Sequence, residues 1–237
     1  MIGDSIRNEI ENIIKSSVKT PFILGFSDLR DSVPEKYRSL FYGITVGLKL
    51  DDNVIDQIKE YGPTKEYVNL YYETNKNLKN IGLKIKDLIN RKNSRAVIVG
   101  ATVSGKDVGY LKNLTCEFSH KVAATRSGLG WIGKSALFIS REFGARVRLI
   151  TILTDTKLET GVPFKESMCN KCSVCVDRCP AGAISGKNWF SGMKREDFFN
   201  AFKCKETGTY LTKKNTGVDD CICGICVSVC PVGVRVY

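Results

Sequence analysis

The stretch Cys169-Asn-Lys-Cys172-Ser-Val-Cys175-Val-Asp-Arg-Cys179-Pro180 decides how the end of this chain must fold. Its spacing, Cys-x2-Cys-x2-Cys-x3-Cys-Pro, is the bacterial ferredoxin run for a [4Fe–4S] cluster. Three thiolates on consecutive turns of a loop reach three irons of one cube, while the fourth starts a helix and points to another cube. Zinc sites use paired Cys-x2-Cys elements and seldom three evenly spaced thiols followed by Cys-Pro. Downstream, Cys223-x2-Cys226-x3-Cys230-Pro231 repeats the pattern without its first ligand, because Asp220 stands at that position. Two spare thiols can replace it, the adjacent Cys221 or the distant Cys204. In crossed ligation one cube takes Cys169, Cys172, Cys175 and Cys230; the other takes Cys179, Cys223, Cys226 and one spare. Spacing does not choose between the spares. Cubes held this way lie close enough to pass single electrons, so residues 166–237 read as an electron wire.

Working outward, the chain has 237 residues, ten cysteines and one histidine, and nine of those cysteines lie between Cys169 and Cys230. A secreted disulfide scaffold would spread its bridges and carry an export signal. The N-terminus, MIGDSIRNEIENIIKSS, is charged every few residues and has no apolar core of a signal peptide. No window approaches the roughly 18 apolar residues that cross a bilayer. The sequence therefore reads as a cytoplasmic protein with no membrane partner. The formal charge of +11 would fall to roughly +7 with two cubanes of about −2 each. The basic residues are dispersed, and read either as a solvated surface or as a face for an acidic partner such as nucleic acid.

Residues 1–160 alternate helix and strand, an α/β or α+β arrangement long enough to bury a core. Ile6, Ile10, Ile13 and Ile14 predict an amphipathic helix over 4–18. Phe22–Phe26 and Phe41–Leu50 read as strands, with Asp51 and Asp52 at a helix N-cap. A long helix from Thr64 to about Asn90 carries Tyr67, Tyr71, Leu78, Ile81, Ile85 and Leu88 on its core stripe. Arg95–Val103 reads as a buried strand and Phe118–Ser127 as helix-like. Ala136–Ser140 and Arg146–Asp155 read as a strand pair joined at Phe143-Gly144. Residues 166–237 look rich in glycine, cysteine and short helical turns, and need metal as a staple.

Gly128-Leu-Gly130-Trp-Ile-Gly133-Lys134-Ser135 satisfies both the P-loop and the dinucleotide-fingerprint patterns. Both require a strand before the loop and a helix after it, because the helix N-terminus binds the phosphate. Here the order is reversed, and Trp131 and Ile132 fit poorly in a phosphate nest. Glycines needed only for a tight turn are the plain alternative. The favoured reading is a bare backbone that admits a large flat cofactor.

SHKVAATRSGLGWIGKSALFI, VRLITILTD and the CxxCxxCxxxCP run together resemble the epoxyqueuosine reductase family, cobalamin- and iron–sulfur-dependent enzymes related to reductive dehalogenases. The likeness extends upstream through GPTKEYVNLYYETNKNL and downstream through KCKETGTYLT to CGICVSVCP. It implies an α+β chain: a nitroreductase-like α/β cobalamin-binding domain over 1–163, then a ferredoxin-like domain with two [4Fe–4S] clusters over 164–237. It implies that Cys204 completes the second ligand set and that Cys221 stands beside it. It places the glycine loop against a base-off corrin, with FMN the lesser alternative, and a low-potential ferredoxin or flavodoxin as electron donor. Two departures disfavour tRNA as substrate. Leu114 stands where tRNA-reducing members place a proton-donating aspartate, and the sequence stops at Tyr237 without their helical-repeat domain.

These readings converge on a reductase whose clusters recharge a cobalamin acting on an unidentified substrate. The alternatives are a non-catalytic electron-transfer or corrinoid-reducing protein, and epoxyqueuosine reduction in tRNA. His120 is the one histidine near the glycine loop and titrates near neutral pH, so it is the first candidate proton donor, with Tyr110 the second. Gly128, Gly130, Trp131, Ile132, Gly133, Lys134, Ser135, Thr154 and Asp155 are the candidate cofactor contacts. Cys116 reads as a redox thiol or as packing.

Overall fold

The computed structural model describes residues 2–100 and 112–233. The chain divides into two compact units, and not by a single cut. The first comprises Met1–Lys49, Thr74–Leu129 and Arg148–Pro163; the second comprises Leu50–Glu73, Gly130–Val147 and Phe164–Tyr237. The last crossing falls at residue 163, the predicted domain boundary, but Leu50–Glu73 and Gly130–Val147 group with the cysteine region. The physical reason lies in their apolar residues. Ile55, Ile58, Tyr67, Trp131 and Ile139 share one buried cluster with Ile222 and Val227.

The first unit is built on a four-stranded sheet in the order β1-β2-β6-β3. Strands β1 (Phe22–Asp28) and β2 (Tyr42–Lys49) pair antiparallel from Phe22↔Leu48 to Asp28↔Tyr42. Strands β3 (Ala96–Val99) and β6 (Val147–Thr154) pair antiparallel from Ala96↔Thr154 to Val99↔Thr151. Helix α1 (Ile2–Ser17) buries Ile6, Ile10 and Ile14. Helix α3 (Lys65–Arg91) buries Leu78, Ile81, Ile85, Leu88 and Ile89 against the same core as Ile150 and Ile152. The two-residue period of β6 sends Leu153 into a different cluster, with Leu29, Phe118 and Ala123. Ala123 belongs to helix α4 (His120–Arg126), whose N-cap Ser119 accepts from the Lys121 amide. Helix α2 (Asp52–Tyr61) opens in the second unit on Asp51, whose side chain accepts from Asn53 and Val54, as the paired aspartates predict.

The expected strand pair at Phe143-Gly144 forms otherwise. Strand β5 (Phe138–Ser140) pairs with β4 (Gly130–Ile132), a strand inside the glycine loop, while β6 belongs to the large sheet. Between β5 and β6 the chain is closed into a local turn. Ser140 bridges to Gly144, and its hydroxyl accepts from the amides of Glu142 and Phe143. Beyond residue 164 come α5 (Val174–Asp177), α6 (Ala201–Thr216) and α7 (Ile225–Ser228). The sixteen-residue α6 is longer than the short turns expected there. Asn200 caps its start by accepting from Lys203, and Gly217 ends it in the left-handed conformation. Among the described residues no helix is long and apolar enough to cross a membrane.

Candidate metal centre

The eight predicted ligands are set out by short elements. Cys169 and Cys172 occupy a loop closed by the Cys172 amide donating to the Cys169 carbonyl, with Asn170 between them in the left-handed region. Cys175 lies on α5, Cys204 on α6 and Cys226 on α7, while Cys179 and Cys230 follow the short helices. Electrostatics shows which sulfurs are neighbours. Burial pushes the Cys175 thiol up to about 11, and Cys169, Cys230 and Cys172 add to the shift. Burial also raises Cys226 well above the ordinary thiol range, with contributions from Cys223, Cys204, Cys175 and Cys179. Cys223, raised by burial as well, feels Cys204 and Cys179. Cys230 thus gathers with the first run and Cys179 with the second, in crossed order.

Among the described residues no group of three or more His, Cys, Asp or Glu side chains is set to hold a single metal ion. A cubane asks for a different arrangement, since its four thiolates bind four different irons. Backbone amides already point at several sulfurs: Ala183 at Cys179 (3.4 Å), Ile225 at Cys223, Val232 and Ala145 at Cys230. Such N–H···S bonds tune cluster potentials. The donor set fits [4Fe–4S] clusters. Cys221 is not isolated either. Its thiol hydrogen-bonds with Cys204, which is raised first by that bond and then by burial, and its sulfur sits where a Gly208 Cβ would be only 2.7 Å away.

A small cavity of about 80 Å³ is lined by Cys169, Cys172, Cys175, Cys226 and Cys230, together with Gly133, Lys134 and Ser135. The end of the glycine loop therefore belongs to the cysteine site. Lys134 is 6% exposed, and its ammonium donates to the carbonyls of Asn170 (2.9 Å) and Cys172 (2.8 Å). Arg146, 1% exposed, donates to Asp52 (2.9 Å), Asp56 (2.7 Å) and the Ser228 carbonyl, tying α2 to α7 beside the ligands.

The rest of the glycine loop turns on its own chain. A Cβ at Gly128 would lie 2.9 Å from the Val162 carbonyl oxygen, and one at Gly130 would lie 2.0 Å from that of Ile139. A Cβ at Gly133 would lie 2.8 Å from the Ile139 side chain. The missing side chains at these three positions allow the loop to pack closely on its own chain. Trp131 is 6% exposed, packs at 5.9 Å against Phe164, and leaves its indole nitrogen without a partner. Ile132 packs against Ala136, Trp189 and Phe198. Helix α4 precedes the loop and strand β5 follows it, so the phosphate-binding order is absent here.

His120 is half-buried in the first unit, with Nδ1 at 3.0 Å from the Thr151 hydroxyl and Nε2 at 3.0 Å from the Gly100 carbonyl. Burial pulls its pKa down to about 4. Both nitrogens are engaged and the neutral ring is favoured, which makes it a poor proton source. Thr154 is buried and its hydroxyl meets that of Thr156, while Asp155 accepts from Arg95. Both close the end of β6. Cys116 is exposed, its sulfur 3.1 Å from the Phe118 carbonyl. Tyr110 lies outside the described residues. Sequence reading missed a cavity of about 360 Å³ in the first unit, lined by Asp28, Arg30, Asp31, Arg126, Thr160, Gly161 and Pro163. Its arginines are satisfied locally: Arg126 pairs with Asp31 (2.6 Å) and Arg30 with Asp28.

Residues 168–233 match the model of the 4Fe-4S double cluster binding domain. In sequence the chain is similar to epoxyqueuosine reductases. That of Bacillus subtilis is 30% identical over 118 residues, covering 50% of this chain and 30% of that protein. That of Atelocyanobacterium thalassa is 41% identical over 70 residues, covering 30% and 23%. The chain thus spans about a third or less of these relatives' length. In fold it is similar to the catabolic reductive dehalogenase NpRdhA, with a TM-score of 0.68 and 16% identity over 95% of this chain and 31% of that one. It is also similar to the epoxyqueuosine reductase from Streptococcus thermophilus, with a TM-score of 0.55 and 19% identity over 98% and 67%.

Proposed function

We propose that this chain is an iron–sulfur oxidoreductase that relays electrons singly through two [4Fe–4S] clusters. The gathering of eight thiols into crossed sets supports the reading: Cys169, Cys172, Cys175 and Cys230 in one, Cys179, Cys204, Cys223 and Cys226 in the other. Bound clusters supply the one-electron chemistry. The chain's own residues would hold the clusters through eight thiolates and aim backbone amides at the sulfurs. Cys175 and Cys226 belong to different sets yet feel each other's charge, the proximity that electron exchange needs. A low-potential ferredoxin or flavodoxin in the cytoplasm is the donor that suits such clusters. In an anaerobic reductive titration, the holoprotein is expected to take up two electrons per chain in one-electron steps. Uptake of one electron or none contradicts the relay.

A second reading makes a corrinoid the electron acceptor. It is favoured by the fold shared over 95% of the chain with a reductive dehalogenase described as B12-dependent (TM-score 0.67). Base-off cobalamin is the form this reading expects, with FMN a lesser candidate for a nitroreductase-like first unit. The curated relatives make epoxyqueuosine the first substrate to test, and one related structure holds an epoxyqueuosine-modified tRNA stem loop. The charge of +11 suits a polyanion. Anaerobic titration with cob(II)alamin, followed by electron paramagnetic resonance, separates the readings. Stoichiometric loss of the axial nitrogen splitting supports corrinoid capture, whereas an unchanged spectrum leaves a relay that serves a partner.

A further inference from the structure

We propose that Lys134 is the counter-cation of the first cysteine set, and that its charge raises the reduction potential of the cluster there. This rests on the two-cluster reading above. Lys134 leaves a tight turn in which the Ala136 amide donates to the Gly133 carbonyl and the Gly133 amide donates to that of Leu137. From there its stem runs inward until the residue is 6% exposed. The ammonium ends between the carbonyls of Asn170 and Cys172, at 2.9 and 2.8 Å. Both carbonyls lie in the loop that carries Cys169 and Cys172, and the lysine lines the same cavity as Cys169, Cys172, Cys175 and Cys230.

Burying an ammonium is costly unless opposite charge accompanies it. Two peptide carbonyls satisfy donors but supply dipoles rather than a full charge. Among the described residues no carboxylate pairs with Lys134. A [4Fe–4S] cluster with four cysteinates carries about −2, which is the charge the site lacks. Reduction adds a further negative charge, so a fixed cation nearby stabilises the reduced cluster more than the oxidised one and raises its potential. The cluster of the first set is therefore the one whose potential Lys134 raises.

The test is a potentiometric titration of the reconstituted holoprotein, read by electron paramagnetic resonance, on wild type, Lys134→Met, Lys134→Gln and Lys134→Arg. Each variant is first shown to hold about eight irons per chain. In Lys134→Met, one couple is expected to fall. At the wild-type midpoint the reduced-to-oxidised ratio of that cluster drops at least tenfold, which is 59 mV for a one-electron couple. The other couple stays, and Lys134→Arg restores the wild-type value. Lys134→Gln keeps an amide donor without charge and is read in the same way if Lys134→Met fails to hold its iron. A lysine that only clamps the loop would leave both couples in place in an iron-replete variant. That result, or an equal fall of both couples, overturns the inference alone. A wild type with fewer than two couples overturns the two-cluster reading instead, and this inference with it.

Discussion

The two units of this chain are stabilised in different ways. The first has an aliphatic core in which Ile10, Ile14, Ile44, Val46, Leu78, Ile81, Ile85 and Ile152 are all inaccessible to solvent. Burying such side chains is the dominant favourable term in folding. The second has an apolar cluster of its own around Ile55, Ile58, Tyr67, Trp131 and Ile222, but nine partly buried thiols crowd its cysteine-bearing end, and its long helix α6 buries only Gly208, Thr212 and Thr216. A helix with that buried face has little apolar surface to hold it. The difference teaches that apolar burial holds the first unit together, while the cysteine-bearing end of the second, with α6 and α7, depends on what its thiols bind.

Removing iron gives the largest expected effect. Chelation under anaerobic conditions is expected to abolish amide-exchange protection in α6 and α7 while α1 and α3 stay protected. The loss is roughly 10 kcal/mol, the scale of structural metal in small domains. Equal loss in both units, or none, breaks the comparison. Next, Cys204→Ala is expected to halve the iron, from about eight to about four per chain, whereas Cys221→Ala retains it. A reversed outcome exchanges the ligand and its neighbour.

Within the first unit, Ile81→Ala at a fully buried position is expected to cost about 3 kcal/mol in denaturant unfolding, with iron content unchanged. The smallest effect concerns His120. Its folded pKa, near 4, lies below the ordinary 6.5, so the unfolded chain binds the extra proton between those values. Stability is therefore full above about pH 6.5, falls as the pH drops towards 4, and levels off below. The change is on the order of 2 kcal/mol, because the residue is only half-buried. His120→Gln is expected to flatten that segment of the stability curve.

What could be read in the sequence follows the same division. The isoleucines of α1 and the stripe along α3 announce themselves by period, because a helix face must meet the core every three to four residues. The cysteines announce themselves by spacing, because a cube fixes where its thiolates stand. Neither signal reaches Lys134, whose partners lie 36 and 38 residues further along the chain. From sequence it reads equally as a solvent-facing cation. Helix α6 buries only Gly208, Thr212 and Thr216, so the apolar period that marks α1 and α3 is missing there. The glycine loop announces itself by its regular pattern, but its packing partners do not. Gly128 and Gly130 answer to nearby carbonyls of Val162 and Ile139, contacts that no local pattern encodes. His120 reads as a proton donor by its type, whereas its contacts with Thr151 and Gly100, 31 and 20 residues away, have no local signal.

The central claim is two cubane clusters on eight cysteines, and iron and sulfide analysis with Mössbauer spectroscopy on anaerobically prepared protein tests it most directly. The account predicts about eight irons and eight sulfides per chain in the pattern of [4Fe–4S] clusters. About four irons, or zinc in place of iron, would contradict it.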